Sequence, residues 1–149
     1  MPCVVIDISE KCHELYSLSK QDIIDFERKY GTIEKGSCVM IQTGWEKLWN
    51  NPSKYHNNHV FPSVSYQAAE LLLDRDTRAL GIDTLSADRP QDGFKVHRIF
   101  LGNDKILIEN IANLGNMPPV GSFVMILPIK IDGGTEAPIR LVGLINEQM

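Results

Sequence analysis

The chain alternates short apolar segments with helical patterns, and this alternation occurs twice within its first 82 residues. The apolar segments at residues 4–8, 38–42 and 78–82 have the length and the branched residues of buried strands. Between the first two, Ser19 is followed by apolar residues at helical spacing and then by Gly31, a typical helix start and stop. Ser65 begins a second such pattern. A helix between two strands, found twice, predicts a mostly parallel sheet.

The C-terminal part of the chain carries the pattern of an antiparallel hairpin. Residues 120–131 and 138–145 are mainly apolar, and Asp132-Gly133-Gly134 lies between them as a turn. With 149 residues and a hydrophobic content of 43%, the chain can bury one ordinary core. We therefore expect one α/β domain over residues 1–149, with a mixed, partly parallel central sheet, flanking helices and this hairpin.

The composition argues against several classes of partner. The formal net charge is -4, which does not favour a broad surface for nucleic acid or anionic membranes. No apolar run approaches the roughly 18 residues of a membrane span, and the N-terminus lacks a signal-peptide pattern. The three cysteines share no CxxC spacing, which favours free, buried thiols. We expect a cytoplasmic protein with neither a nucleic-acid nor a membrane partner.

Most groups that could do chemistry lie between Gly81 and Glu109. His97 falls on a predicted short helix that starts near residue 96, breaks at Gly102-Asn103 and is followed by an apolar strand at residues 106–108. This path turns the chain back and places Glu109, twelve positions after His97, beside the imidazole. A histidine next to a carboxylate is either half of a metal site or a hydrogen-bonded pair, and the spacing alone leaves both open.

The polar loop after residue 82 holds further candidates. Asp83, Ser86 and Asp88 follow a predicted strand at the edge where parallel sheets collect their reactive groups. These side chains either order the loop or belong to a site, and an aspartate there could also act as a base.

Candidates elsewhere are weaker. Trp45 follows the strand at residues 38–42 and either lines an aromatic substrate pocket or packs at the rim of the core. Residues 50–59 are polar and predict an exposed loop, so His56 and His59 are interpreted as solvated rather than as metal ligands. No nucleophile motif is present, and the catalytic residues stay unknown.

Seven segments together resemble one family, the metal-dependent hydrolases called the cyclase or kynurenine-formamidase-like family. They are VID at residues 5–7, IEKG at 33–36, VMIQTGW at 39–45, GIDTLSAD at 81–88, VHRIFLGN at 96–103, ILIENIANL at 106–114 and LPIKI at 127–131. The resemblance covers nearly the whole chain. It implies the swivelling α/β domain of these hydrolases and an arylformamidase of tryptophan catabolism, acting on N-formylkynurenine or a similar small amide or cyclic amide. It also implies a divalent metal, zinc or manganese, with His97 and Glu109 at positions of family ligands.

One family motif is absent from these residues. Members of the family that this chain resembles carry a His-x-Gly-Thr-His-x-Asp-x-Pro segment, which supplies three metal ligands and is followed by a catalytic histidine. In those proteins the segment precedes the part that matches residues 4–8. We therefore expect an N-terminally truncated family domain that binds metal weakly or not at all by itself. The missing ligands would come from an upstream segment or a partner chain, and exposed apolar surface would favour a homo-oligomer, a dimer or higher. The alternatives are an inactive relative that serves as a binding or assembly module, and an unrelated α/β domain.

Overall fold

The fold was taken from a computed structural model, which describes residues 1–146. The strands are β1 (Pro2–Asp7), β2 (Ser17–Leu18), β3 (Cys38–Gln42), β4 (Ser63–Val64), β5 (Ala79–Ile82), β6 (Ile106–Ile108), β7 (Ser122–Pro128) and β8 (Ile139–Leu144). The helices are α1 (Lys20–Tyr30), α2 (Pro52–His56), α3 (Tyr66–Asp74) and α4 (Lys95–Leu101). Short 3₁₀ turns lie at Trp45–Leu48, Asn57–His59, Pro90–Asp92 and Leu114–Asn116.

Six of the strands form one mixed sheet in the order β6-β5-β3-β1-β7-β8. The first four are parallel to one another, with register pairs such as Val5 with Met40 and Met40 with Gly81. β7 runs antiparallel to β1, and β8 antiparallel to β7. β2 and β4 form a separate parallel pair. The predicted α/β domain with a partly parallel sheet and a C-terminal hairpin is confirmed.

Alternate residues of the parallel strands point to opposite faces of the sheet, and α1, α3 and α4 cover only one of these faces. The strand residues of that face pack in one core with apolar residues of the three helices. The core contains Val4, Ile6, Val39, Ile41, Leu80 and Ile82 from the strands and Ile23, Phe26, Ala68, Leu72, Val96 and Phe100 from the helices.

The opposite face is covered by irregular chain and by the start of the hairpin. A second core there contains Cys3, Val5, Cys38, Met40, Ile108, Ile111, Leu114 and Val124. Ile111 and Leu114 belong to the segment that follows β6, so this segment takes the place of a helix on its side of the sheet. This covering buries the strand residues of this face.

Side-chain caps explain where the two longest helices begin. At α1, the Ser19 hydroxyl accepts a hydrogen bond from the backbone amide of Asp22, and the Asp22 carboxylate accepts one from the Ser19 amide. This reciprocal capping box was the predicted start signal. Ser65 accepts from the Ala68 amide in the same way at α3. Gly31 ends α1 with a φ of 95°, a conformation that favours glycine.

The prediction of an exposed loop at residues 50–59 was wrong in part. Asn51 caps a short helix, α2, with Pro52 in its first turn, and a 3₁₀ turn follows at once. Five residues are too few to show helical periodicity, which is why the pattern reads as a loop. His56 and His59 are exposed, as interpreted from the sequence, and their ring centroids are 4.1 Å apart.

Within residues 1–146, no helix combines the length and the apolar character that crossing a membrane requires. The three cysteines are free thiols: Cys3 and Cys38 are buried as expected, whereas Cys12 is partly exposed.

Candidate metal site

Asp88 fixes both the start of α4 and the histidine that the helix carries. Its carboxylate accepts hydrogen bonds from the backbone amides of Val96 at 3.1 Å and His97 at 2.9 Å, and the residue is 1% exposed. Amides in the first turn of a helix have no partner within the helix, and the N-cap residue Phe94 supplies no side-chain cap here. A carboxylate is also favoured electrostatically at this end of a helix. Asp88 therefore acts as the cap from outside the helix.

The same carboxylate orients the imidazole of His97. Nδ1 of His97 lies 2.9 Å from Oδ2 of Asp88, which turns Nε2 toward the end of β6. There Nε2 lies 3.4 Å from Oε1 of Glu109, without the geometry of a hydrogen bond. Oε1 is buried and has no hydrogen-bond partner. The expected approach of His97 and Glu109 is confirmed, and we call the pair His97 Nε2 and Glu109 carboxylate the half-site.

The charges around the imidazole favour its protonated form. The hydrogen bond to Asp88 and then the neighbouring Glu109 raise the pKa of His97 to about 9. Burial alone would raise the pKa of Asp88, but the hydrogen bonds from the His97 side chain and backbone outweigh it and hold that pKa below its ordinary value. At neutral pH the imidazole of His97 is therefore protonated in the metal-free protein.

The geometry of the half-site fits two ligands of one divalent metal. Ligand atoms of a tetrahedral zinc, at bond lengths of about 2.0–2.1 Å, are roughly 3.3–3.4 Å apart. The two half-site atoms have this separation. A carboxylate on the second ring nitrogen, as Asp88 provides, is the usual support of a metal-binding histidine. Oε1 of Glu109 is buried without a hydrogen bond and faces only the His97 imidazole, so it is a donor atom that a metal would satisfy.

Two ligands are nevertheless fewer than a catalytic metal normally receives from a protein, which is about three. Within the part of the chain that the structure describes, no group of three or more His, Cys, Asp or Glu side chains could hold a metal ion. The described residues thus bring together two candidate ligands, fewer than a complete site needs.

Asp83 ties together the ends of β3 and β5. Its carboxylate accepts from the Thr43 hydroxyl at 2.6 Å, the Thr43 amide at 3.0 Å and the Gly44 amide at 2.8 Å. Burial raises the pKa of Asp83, and these hydrogen bonds oppose the increase. The residue is fully buried, so its contacts are those of a loop-ordering residue.

Ser86 and Trp45 also contact protein groups rather than the half-site. The Ser86 hydroxyl accepts from the Asp88 amide at 3.3 Å and so helps to shape the loop that carries Asp88. Trp45 is half-buried, and its Nε1 donates to the backbone carbonyl of Tyr55 at 2.8 Å.

Two residues near the site were missed at the level of sequence. Tyr55 on α2 is 7% exposed, and its hydroxyl lies 3.0 Å from the Asp83 carbonyl and 2.9 Å from Oδ1 of Asn110. Asn110 directly follows Glu109. The only sequence signal was an aromatic residue within a polar stretch, which does not reveal a partner 55 positions away.

A wide groove lies beside Glu109, on the face of the sheet without helices, and His97 is not part of its lining. It has a volume of about 930 Å³ and runs between residues 107–117 and the hairpin. Met40, Ile108, Ile111 and Met117 form apolar parts of its lining, and Glu109 stands within it. Trp45 is not part of this lining. Polar groups, among them Glu109, Glu136 and Arg140, form the rest of the lining. A groove that combines apolar parts with a few polar groups is typical of a small-molecule site.

Comparison with known proteins gives consistent results. A family model described as "Putative cyclase" matches residues 1–89. An isatin hydrolase from Roseibium aggregatum is 28% identical over 155 residues, which cover 97% of this chain and 59% of that protein. A crystal structure of an isatin hydrolase bound to the product analogue thioisatinate has a TM-score of 0.93 at 26% identity, covering 98% of this chain and 60% of the other.

A further solved structure, described as a potential metal-dependent hydrolase with cyclase activity, has a TM-score of 0.75 at 26% identity. The match covers 94% of this chain and 62% of the other. The chain therefore spans about three fifths of the length of the relatives that it matches.

Proposed function

The chain belongs to the cyclase family, and from this membership we propose that it is part of a metal-dependent hydrolase that cleaves the C–N bond of a small amide. The observation that supports the proposal is the half-site, where Nε2 of His97 lies 3.4 Å from Oε1 of Glu109 and Asp88 contacts Nδ1 on the other side of the ring. It lies just past the carboxyl ends of β5 and β6, the position that parallel sheets use for chemistry.

We assign the metal, zinc or manganese, to His97 and Glu109. A bound divalent metal supplies Lewis-acid chemistry at the amide carbonyl and the attacking water. Asp88 holds the ring of His97 in place and accepts from Nδ1, which leaves Nε2 to face the metal. The described residues offer no third ligand, so the remaining ligands come from residues outside this set or from a partner chain.

The substrate class follows from the groove and from the relatives. A groove that combines apolar parts with charged groups, namely Glu109, Glu136 and Arg140, suits a small molecule with both an apolar part and a polar reacting group. Isatin is a cyclic aromatic amide, and isatin hydrolases are among the relatives. We therefore propose a cyclic amide of this kind, or an open-chain N-formyl aromatic amine such as N-formylkynurenine, as substrate. The expected contact of Trp45 with the aromatic ring of the substrate stays a prediction, because Trp45 does not line this groove.

We also propose that the chain self-associates through the hairpin. On one face of the hairpin, Phe123, Met125, Leu127 and Leu144 are 42–54% exposed. β8 is an edge strand of six residues with one charge, Arg140, and without a proline, so nothing in it blocks pairing with another strand. A second copy can pair with β8 antiparallel about a two-fold axis and cover both apolar faces at once.

The function is tested by hydrolysis of isatin and of N-formylkynurenine with added zinc or manganese. Because the chain has two ligands, we expect turnover barely above background for the chain alone. Adding a polypeptide with the family's His-x-Gly-Thr-His-x-Asp-x-Pro motif is expected to give turnover that a chelator abolishes. The His97→Ala variant should stay inactive, whereas His56→Ala, which changes an exposed histidine, should not differ from the parent. Turnover that persists in His97→Ala would refute the assignment, and absence of metal binding would favour the binding-module alternative.

A further inference from the structure

Tyr55 is buried in a segment that is otherwise mainly exposed. It lies on the five-residue helix α2, where its neighbours Lys54 and His56 face solvent, yet it is only 7% exposed itself. Its ring packs edge-on against Trp49, with centroids 5.2 Å apart. The hydroxyl points inward, to the ends of the central strands. Burial of a tyrosine hydroxyl is favourable only if it is hydrogen-bonded, so its partners reveal what it holds.

These partners lie in three segments, each of which follows a strand of the central sheet. The hydroxyl lies 3.0 Å from the carbonyl of Asp83 after β5 and 2.9 Å from Oδ1 of Asn110 after β6. The backbone carbonyl of Tyr55 accepts from Nε1 of Trp45, which follows β3. One residue thus connects the Trp45 turn, the Asp83 loop and the segment that carries Glu109.

Asn110 is the residue through which this connection reaches the half-site. It has a φ of 57°, the left-handed conformation that turns the chain sharply after β6 and that asparagine tolerates better than most residues. Its amide donates to the Thr84 carbonyl at 2.9 Å. The next amide, of Ile111, donates to the Ile82 carbonyl at 3.1 Å. Glu109 therefore lies at the start of a turn that is held in two ways. The backbone amides of Asn110 and Ile111 donate to the segment at residues 82–84, and the side chain of Asn110 contacts Tyr55.

We propose that Tyr55 is a positioning residue of the half-site, which keeps the carboxylate of Glu109 against Nε2 of His97 by holding the side chain of Asn110. Through the hydrogen bond from Trp45, the same residue also holds the turn that follows β3. The inference rests on the proposed function for the role of metal, whereas its geometric part concerns the metal-free protein.

The test compares Tyr55→Phe with the parent chain. Phenylalanine keeps the ring against Trp49 and removes only the hydroxyl. We expect hydrogen exchange of the Asn110 and Ile111 amides to become about 10-fold faster, with the amides of α3 unchanged. The imidazole NMR signals of His97 should shift as Glu109 moves, and the affinity for zinc should fall about 10-fold, as after loss of a supporting group.

Three further variants make the result specific. Asn110→Gly, which removes the side chain and tolerates the φ of 57°, should change the same measurements in the same direction. In the double variant Tyr55→Phe/Asn110→Gly the effects should be less than additive, because both changes remove the contact between Tyr55 and Asn110. Tyr66→Phe, which removes a hydroxyl from a residue that is 38% exposed on α3, should leave all three measurements unchanged.

Additive effects in the double variant would overturn the inference. Faster exchange with unchanged metal affinity and unchanged His97 signals would also overturn it, since Tyr55 would then be structural only. If the parent chain binds no metal, the proposed function fails, and the His97 signals in the metal-free protein decide the inference. A shift in Tyr55→Phe supports it, and identical signals refute it.

Discussion

At the scale of single residues, Asp88 has two roles, because one buried carboxylate both caps α4 and holds the His97 ring. We expect Asp88→Asn to lower the free energy of unfolding by about 1–3 kcal/mol, the value of charge-assisted hydrogen bonds to buried groups. The pKa of His97 should fall from about 9 toward its ordinary value. Urea unfolding and an NMR titration measure both effects. Asp92→Asn is the matched control, since Asp92 pairs with Arg89 at 2.9 Å and is more exposed; equal losses in the two variants would contradict this role.

The protonation of His97 predicts how metal binding depends on pH. In the metal-free protein its pKa is raised to about 9, mainly by Asp88 and then by Glu109, so the imidazole is protonated at pH 7. A metal binds only the neutral ring and must displace this proton. Affinity should therefore rise about tenfold per pH unit from pH 7 to about 9, with release of about one proton per ion. Calorimetry in buffers of different ionisation enthalpy counts the protons, and an affinity that does not change with pH would show that His97 is not a ligand.

At the scale of elements, the contact between β5 and the segment after β6 depends on a residue without a side chain. A Cβ on Gly81 would lie 2.5 Å from Cδ1 of Ile111 and 3.5 Å from Cγ of Met40. We expect Gly81→Ala to lower the free energy of unfolding by about 1–3 kcal/mol, because Ile111 must shift to make room for the methyl group. Metal binding should also weaken, because Ile111 lies two residues after Glu109 and its shift displaces the turn on which Glu109 lies. Gly115→Ala is the control, since its Cβ would meet only Nε2 of Gln42 at 3.4 Å. Thermal unfolding and a zinc titration compare the two, and an equal effect of both variants would contradict the account.

The elements were predictable wherever local sequence patterns coincide with burial. Residues 38–41 are continuously apolar and are followed by Gln42 and the Thr43-Gly44 turn, so β3 was predicted with its observed limits. Ser19 and Gly31 likewise marked both ends of α1. α2 was missed because a five-residue helix shows no periodicity, although the Asn51 cap and Pro52 were present in the sequence.

The site was predictable in part for a similar reason. The break at Gly102-Asn103 allowed a local turn to bring Glu109 beside His97, and one local turn can be deduced from sequence. The contact of Asp88 with His97 depends on the path of an irregular loop. The contact of Tyr55 with Asn110 joins segments 55 positions apart. Such contacts are set by tertiary packing, which spacing along the chain does not encode.

At the scale of the whole molecule, the two faces and the edge of the sheet are covered unequally. Helices cover one face, whereas the hairpin exposes apolar side chains and ends in an unpaired edge strand within residues 1–146. We expect the chain to form dimers or larger assemblies at micromolar concentration and Met125→Glu to shift it to monomer, because a charge would be buried in the interface. Leu15→Glu is the control, at a residue 62% exposed outside the hairpin. Sedimentation velocity measures the result; a monomeric parent chain, or equal dissociation of both variants, would contradict it.

The central claim is that His97 and Glu109 form a metal half-site, and calorimetric titration of zinc into the purified chain tests it most directly. The account predicts weak binding of one ion by the parent chain, because two ligands leave the metal mostly to water. It predicts loss of this binding in His97→Ala and in Glu109→Gln, and unchanged binding in His59→Ala, which alters an exposed histidine. Binding that survives in both half-site variants, or that disappears in His59→Ala, would contradict the claim.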